Sequence, residues 1–293
     1  MQPGVERVRV RCGGHEVVAD VHLRDDVRPP VLFLHGILTS TAVVRELFDA
    51  PDAASWISVS LPGHHPGRLA RGTPPAAIDE EFFAALVDAA LAEVVGPRRV
   101  VAVGWSTGGF AALNLAVRRP ERVAAVASLA GFASGRRLAG SVAWLTWLAG
   151  AAPAAALVRG GLWAGSRIPW LHGLILGTAA GDCTAARMID TTTRDRLWRE
   201  FVGHDPASLV SVLAALRRLE LADRLGDIAV PAWIVAGERD PLVPLLEARR
   251  IAAAIPGSRL TVYEGAGHLF FHEWPAFRAE FAAWRAGLAA AEA

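Results

Sequence analysis

Ten consecutive residues, Val100-Val101-Ala102-Val103-Gly104-Trp105-Ser106-Thr107-Gly108-Gly109, constrain the fold more than any other part of the chain. An apolar run ends in a serine that has glycine two positions before it and two after. The pattern predicts a strand, a sharp turn and a helix, with Ser106 at the tip of the turn. Glycine is required at 104 and 108 because a Cβ at either position would collide where strand and helix pack closest. The turn lifts the serine hydroxyl off the sheet edge. A hydroxyl is a weak nucleophile on its own, so such a serine needs a base and an acid further along the chain.

The flanking sequence supplies the sheet. Residues 5–11 alternate apolar and polar as a half-exposed strand does, and residues 16–23 form a hairpin partner across Gly13-Gly14. Val31–Leu34, following Pro29-Pro30, is a continuous apolar run of the kind found in buried parallel strands. Further strands are predicted at 55–60, 100–103, 123–129, 232–236 and 260–263. Helices are predicted at 76–95, 107–118, 206–218, 244–255 and 273–290. Strands alternating with helices imply an α/β fold: a mostly parallel eight-stranded sheet with helices on both faces. Between 131 and 205 no strand pattern is visible. That stretch is rich in alanine and glycine and holds Trp144, Trp147, Trp163, Trp170 and Trp198. It reads as a helical lid inserted after the sixth strand. The chain then divides into a first core part (1–130), the lid (131–205) and a second core part (206–293).

Composition bounds the function. Thirty basic against 29 acidic residues leave a net charge of +1, which gives no electrostatic basis for binding nucleic acid. Hydrophobic residues at 53% support a sizeable core. The two cysteines, Cys12 and Cys183, have no metal-ligand spacing, and the start of the chain has no signal-peptide pattern; a cytoplasmic protein is expected. Residues 138–158 carry no charge and reach the length of a membrane span. Pro153 interrupts them, however, and strands of one sheet lie on both sides. A single crossing would separate those strands across a bilayer. A pair of lid helices is therefore predicted, without a membrane span.

Groups that act in open α/β sheets gather at the carboxyl ends of strands. Asp240, in the run Gly237-Glu238-Arg239-Asp240-Pro241, follows the strand ending at Ala236, and His268 follows the strand ending at Tyr263. Ser106, Asp240 and His268 thus form a candidate triad. In it His268 takes the serine proton, and Asp240 fixes the imidazole tautomer. The rival acids are Glu238 and Glu264, and the rival histidine is His272. His35-Gly36-Ile37-Leu38 follows the third strand, so the Ile37 amide, with the Thr107 amide at the helix start, can form an oxyanion hole. His35 reads as a structural hydrogen-bond partner and His64 and His65 as loop residues; the three lack carboxylates at metal-binding spacing. Trp105, Trp144, Trp147, Trp163 and Leu242 are candidates for the wall of an apolar acyl pocket.

These motifs resemble the α/β-hydrolase superfamily from about residue 28 to 287. The Gly-Trp-Ser-x-Gly-Gly form, with Arg119-Pro120-Glu121-Arg122-Val123 after it, is similar to the lipase/esterase-like branch that includes the pimeloyl-carrier-protein methyl esterases. The resemblance implies a serine hydrolase with Ser106, Asp240 and His268 as triad and Ile37 and Thr107 as oxyanion donors. It needs no cofactor or metal and cleaves a hydrophobic small-molecule ester. Three other readings share this constellation or fold. A carbon–carbon bond hydrolase would use Arg136, Arg137 or Arg159 for a substrate carboxylate. A thioesterase or acyltransferase would meet an acyl carrier protein through Arg194, Arg196 and Arg199. A non-catalytic binding protein could reuse the fold.

Overall fold

The computed structural model describes residues 5–25, 28–43, 55–172, 191–270 and 275–291. The apolar runs become a single eight-stranded sheet. Its strands are β1 (Glu6–Cys12), β2 (His15–His22), β3 (Val31–Leu34), β4 (Trp56–Val59), β5 (Val100–Trp105), β6 (Val123–Leu129), β7 (Ala232–Gly237) and β8 (Arg259–Tyr263). They lie in the order β1-β2-β4-β3-β5-β6-β7-β8. The β1–β2 hairpin and the β2–β4 pair are antiparallel, and every other pairing is parallel. β5 is therefore central, and the turn after it opens at the middle of the carboxyl edge.

Side chains alternate across each strand, which explains why the buried strands are apolar throughout. Leu32, Leu34, Val100 and Ala102 face a core layer with Phe83, Leu86, Leu91 and Phe110. Val31, Phe33, Val101, Val103 and Trp105 face the other layer, with Trp233, Phe277 and Phe281. The first layer is roofed by α1 (Glu80–Val95) and α2 (Thr107–Arg118). Asp79 caps α1 by accepting the Phe82 N–H at 2.8 Å. α8 (Pro275–Ala291) carries Phe277 and Phe281 into the second layer.

Between β6 and β7 the described residues form helices: α3 (Gly140–Gly150), α4 (Ala152–Gly165), α5 (Thr191–Val202) and α6 (Pro206–Leu216). The uncharged run 138–158 therefore breaks at Ala151. Pro153 falls in the first turn of α4, where its missing N–H costs nothing. No helix among the described residues is long and apolar enough to cross a membrane. Both α3 and α4 pack on α6. α7 (Leu245–Ala254) joins β7 to β8.

Candidate active site

Ser106 is the first residue beyond β5 and holds φ +56°, a region side chains rarely adopt. Its N–H donates to Leu129 O at 2.8 Å, which fixes the turn to the end of β6. The flanking glycines are required by backbone rather than by side chains. A Cβ on Gly104 would lie 1.9 Å from Gly108 O, and one on Gly108 would lie 2.0 Å from Leu34 O. Strand, turn and helix can close this tightly only without those two atoms.

Asp240 and His268 lie on neighbouring loops after β7 and β8. His268 Nδ1 and Asp240 Oδ2 are 2.7 Å apart, and both side chains are buried. The other Asp240 oxygen accepts the N–H groups of Leu242 and Val243 at 2.8 and 2.9 Å. With Oδ1 held by those amides, Oδ2 faces the imidazole. The two loops are laced together: Arg239 N–H donates to Ala266 O at 2.9 Å. Gly237 makes this approach possible, since a Cβ there would lie 2.2 Å from Gly267 O. Glu238, one of the rival acids, instead accepts the Gly265 N–H at 2.8 Å and caps the turn before the histidine. His272, like Cys183, lies outside the described residues.

Trp105 ties the histidine loop to the serine turn. Its indole Nε1–H donates to His268 O at 3.1 Å, and its ring lies 5.4 Å from the imidazole. Predicted as a pocket wall, Trp105 is buried and braces the backbone of His268. Leu242 is buried too, and its carbonyl accepts the Ala139 N–H at 2.8 Å, anchoring the start of α3 to the Asp240 loop.

The loop after β3 closes on the same point. A Cβ on Gly36 would meet the Trp105 ring at 2.9 Å and Ser106 Cβ at 3.4 Å, so the backbone at 36 lies against the serine turn. Leu38 takes φ +61° and donates its N–H to His64 Nε2 at 3.2 Å. His35 Nε2 accepts the Leu61 N–H at 3.0 Å, and its Nδ1 lies 2.8 Å from Gly36 O. These two imidazoles brace the turn that contains Ile37. Burial drives the His35 pKa down to about 3 and that of His64 well below the usual range, so both stay neutral and can accept from backbone amides. Thr107 opens α2, where the first N–H groups have no partner within the helix and the helix dipole is positive.

The other predicted residues fall elsewhere. Trp144, Trp147 and Trp163 are 67%, 52% and 56% exposed. α3 and α4 bury the opposite stripes: Thr146 and Ala149, and Val158, Leu162 and Gly165. Arg137 is committed to the buried Glu247 at 3.2 Å, while Arg136 and Arg159 are exposed. Arg199 and Arg196 project from α5 as exposed side chains, and the side chain of Arg194 lies outside the described set. Among the described residues, no group of three or more His, Cys, Asp or Glu side chains could hold a metal ion. The residues that sequence reasoning passed over are Gly237, Glu247 and His204. Each acts through a contact distant in sequence, and no local motif marks it.

The serine turn, the acid and histidine loops and the amide-bearing loop follow β5, β7, β8 and β3, which all run parallel in one sheet. A family model described as alpha/beta hydrolase fold matches residues 29–275. A pimeloyl-[acyl-carrier protein] methyl ester esterase of Neisseria meningitidis serogroup A is 30% identical over 250 residues, covering 84% of this chain and 73% of that protein. Polyketide synthase ThaQ of Burkholderia thailandensis is 29% identical over 250 residues, which span 85% of this chain but only 11% of the synthase. Among solved structures, the esterase RhEst1 from a Rhodococcus species superposes with a TM-score of 0.75 at 20% identity, covering 97% of this chain and 99% of its own. The chain belongs to the α/β-hydrolase family.

Proposed function

We propose that this hydrolase cleaves a carboxylic ester of a hydrophobic small molecule through an acyl-serine intermediate. The observation that carries the reading is the buried 2.7 Å contact between His268 Nδ1 and Asp240 Oδ2, with Ser106 held at positive φ one residue after Trp105, whose indole donates to His268 O. With Nδ1–H directed at the carboxylate, Nε2 is left to accept the Ser106 proton as Oγ attacks the carbonyl carbon. The Ile37 and Thr107 amides hold the oxyanion; one such donor contributes about 3 kcal/mol to barrier lowering. His268 then protonates the leaving alcohol. Water attacks the acyl-enzyme with His268 as base, releasing the acid and restoring Ser106. Residues 131–205 are taken as a helical lid between the two core parts. The named activity of the Neisseria relative supports an ester substrate and an acyl carrier as partner.

The ThaQ relative favours one other reading, a thioesterase acting on carrier-bound acyl chains. A chain-length series of p-nitrophenyl esters and matching acyl thioesters, assayed with wild type and Ser106→Ala, separates the two. The ester reading expects fluorophosphonate labelling of Ser106, ester turnover, and a loss of at least about 10^4-fold in the variant. Labelling with thioester turnover alone moves the assignment to the second reading. Neither labelling nor turnover of either series removes the serine mechanism.

A further inference from the structure

Among the described residues, the four most exposed large apolar side chains, Leu157, Trp170, Trp144 and Trp163, all lie between 144 and 170. Trp144 and Trp147 stand on α3, their rings 6.0 Å apart, and Leu157 and Trp163 stand on α4. Ile168 and Trp170 follow directly. Leu157 and Trp170 expose 79% and 72% of their surface. Both helices turn their buried stripes to α6, so these side chains point away from the body of the protein. Large apolar side chains this exposed on two adjoining helices of a folded chain mark an interaction site.

Charge decides what it meets. Residues 131–172 contain Arg136, Arg137, Arg159 and Arg167 and no carboxylate, although the whole chain is nearly balanced at +1. Arg137 is paired with Glu247, but Arg136, Arg159 and Arg167 are exposed, and Arg167 lies 5.4 Å from the Trp163 ring centre. A second copy docking by a two-fold axis would bring two positive faces together with no carboxylate on either to offset them. An acidic protein would match the arginines but not the row of tryptophans. Tryptophan rings prefer the headgroup level of a bilayer, and arginines beside them attract anionic lipid. We infer that the outer face of α3 and α4 docks on the surface of an anionic phospholipid bilayer, lying on it rather than crossing it. The face is tied to the active-site edge: Ala139 N–H donates to Leu242 O at 2.8 Å, and Gly140, at φ +55°, lies against Pro241 O. The docked helices would therefore sit next to the loop that carries Asp240.

The test is co-sedimentation of the full chain with vesicles of phosphatidylcholine alone and of phosphatidylcholine mixed with phosphatidylglycerol. The anionic vesicles should pellet the protein, less so as salt rises. Arg159→Gln with Arg167→Gln should weaken partitioning to anionic vesicles about 25-fold, at about fivefold per charge, and leave neutral vesicles unaffected. Leu157→Ser with Trp170→Ser should weaken it at least about tenfold. All four positions are exposed, and far-UV circular dichroism verifies that each pair is folded. Absence of pelleting with anionic vesicles overturns the assignment, as does pelleting that neither pair alters. Sedimentation equilibrium showing a dimer that both pairs dissolve would assign the face to a second copy. Binding of purified acidic acyl carrier protein without vesicle binding would assign it to a carrier.

Discussion

Ser106 illustrates how a single residue carries both chemistry and cost. A side chain at φ +56° stores backbone strain of about 1–3 kcal/mol, which glycine would not incur. Ser106→Gly should therefore unfold at higher urea than Ser106→Ala, by about 1 kcal/mol, and equal midpoints would show that the turn is unstrained. Asp240 and Glu238 separate the acid from its neighbour. Asp240→Asn presents an amide to His268 Nδ1 and should lower kcat about 10^4-fold by favouring the wrong tautomer. Glu238→Gln keeps an oxygen for the Gly265 N–H and should stay within about tenfold of wild type; steady-state kinetics on both variants decide which carboxylate serves the histidine. At this scale the candidate triad was legible because Ser106 directly follows β5, while Asp240 and His268 stand in the short loops after β7 and β8. The bracing by Trp105 and His64 was not. Trp105 reaches a carbonyl 163 positions away and His64 an amide 26 positions away, and neither spacing leaves a local signal.

At the scale of elements, the same residue type means opposite things in two helices. Gly108 lies in α2 where a Cβ would sit 2.0 Å from Leu34 O, while Gly160 lies in α4 with nothing within 4 Å of a built Cβ. Gly108→Ala should cost about 3 kcal/mol or prevent folding, because backbone cannot yield. Gly160→Ala should add about 0.5–1 kcal/mol through helix propensity. Urea unfolding of the two variants checks the pair, and a matching sign for both would refute the close approach. Strands and core helices were legible here, since alternation and apolar runs report burial on a sheet. The outward face of α3 was not. Its sequence, Gly140–Gly150, carries no charged residue, so no polar side marks which stripe meets water.

For the whole molecule, a set of histidines behind the loop after β3 ties distant segments together. His35 and His64 rings lie 5.1 Å apart, His64 and His204 5.5 Å, and His65 and His204 6.1 Å. His204 reaches from the end of α5 to Thr39 O at 3.1 Å, and His172 packs on Phe201. Glu200 beside His65 is the nearby carboxylate, and Arg7 and Arg68 add positive charge. Burial lowers the pKa of His204 and His172 to about 4 and of His35 to about 3. The unfolded chain takes these protons near pH 6.5, so between about 6.5 and those values it binds more protons than the fold. Stability should accordingly be full above pH 6.5 and fall as pH drops, by about 2 kcal/mol per such histidine at pH 5. Thermal unfolding from pH 8 to 5 checks this, and a flat profile would contradict it.

The sequence by itself determined the sheet, the serine turn and the order of serine, acid and histidine. Each of these is written in local terms: hydrophobic period, glycine where a Cβ cannot fit, and a polar residue just past a strand. Tertiary structure alone decided that Trp105 braces the histidine loop, which histidines hold the loop after β3, and which side of α3 and α4 faces outward. Those outcomes depend on how segments 26 to 165 residues apart are brought together. Burial and hydrogen bonding are properties of that assembled neighbourhood, and a linear sequence carries them only where spacing along the chain repeats spacing in space.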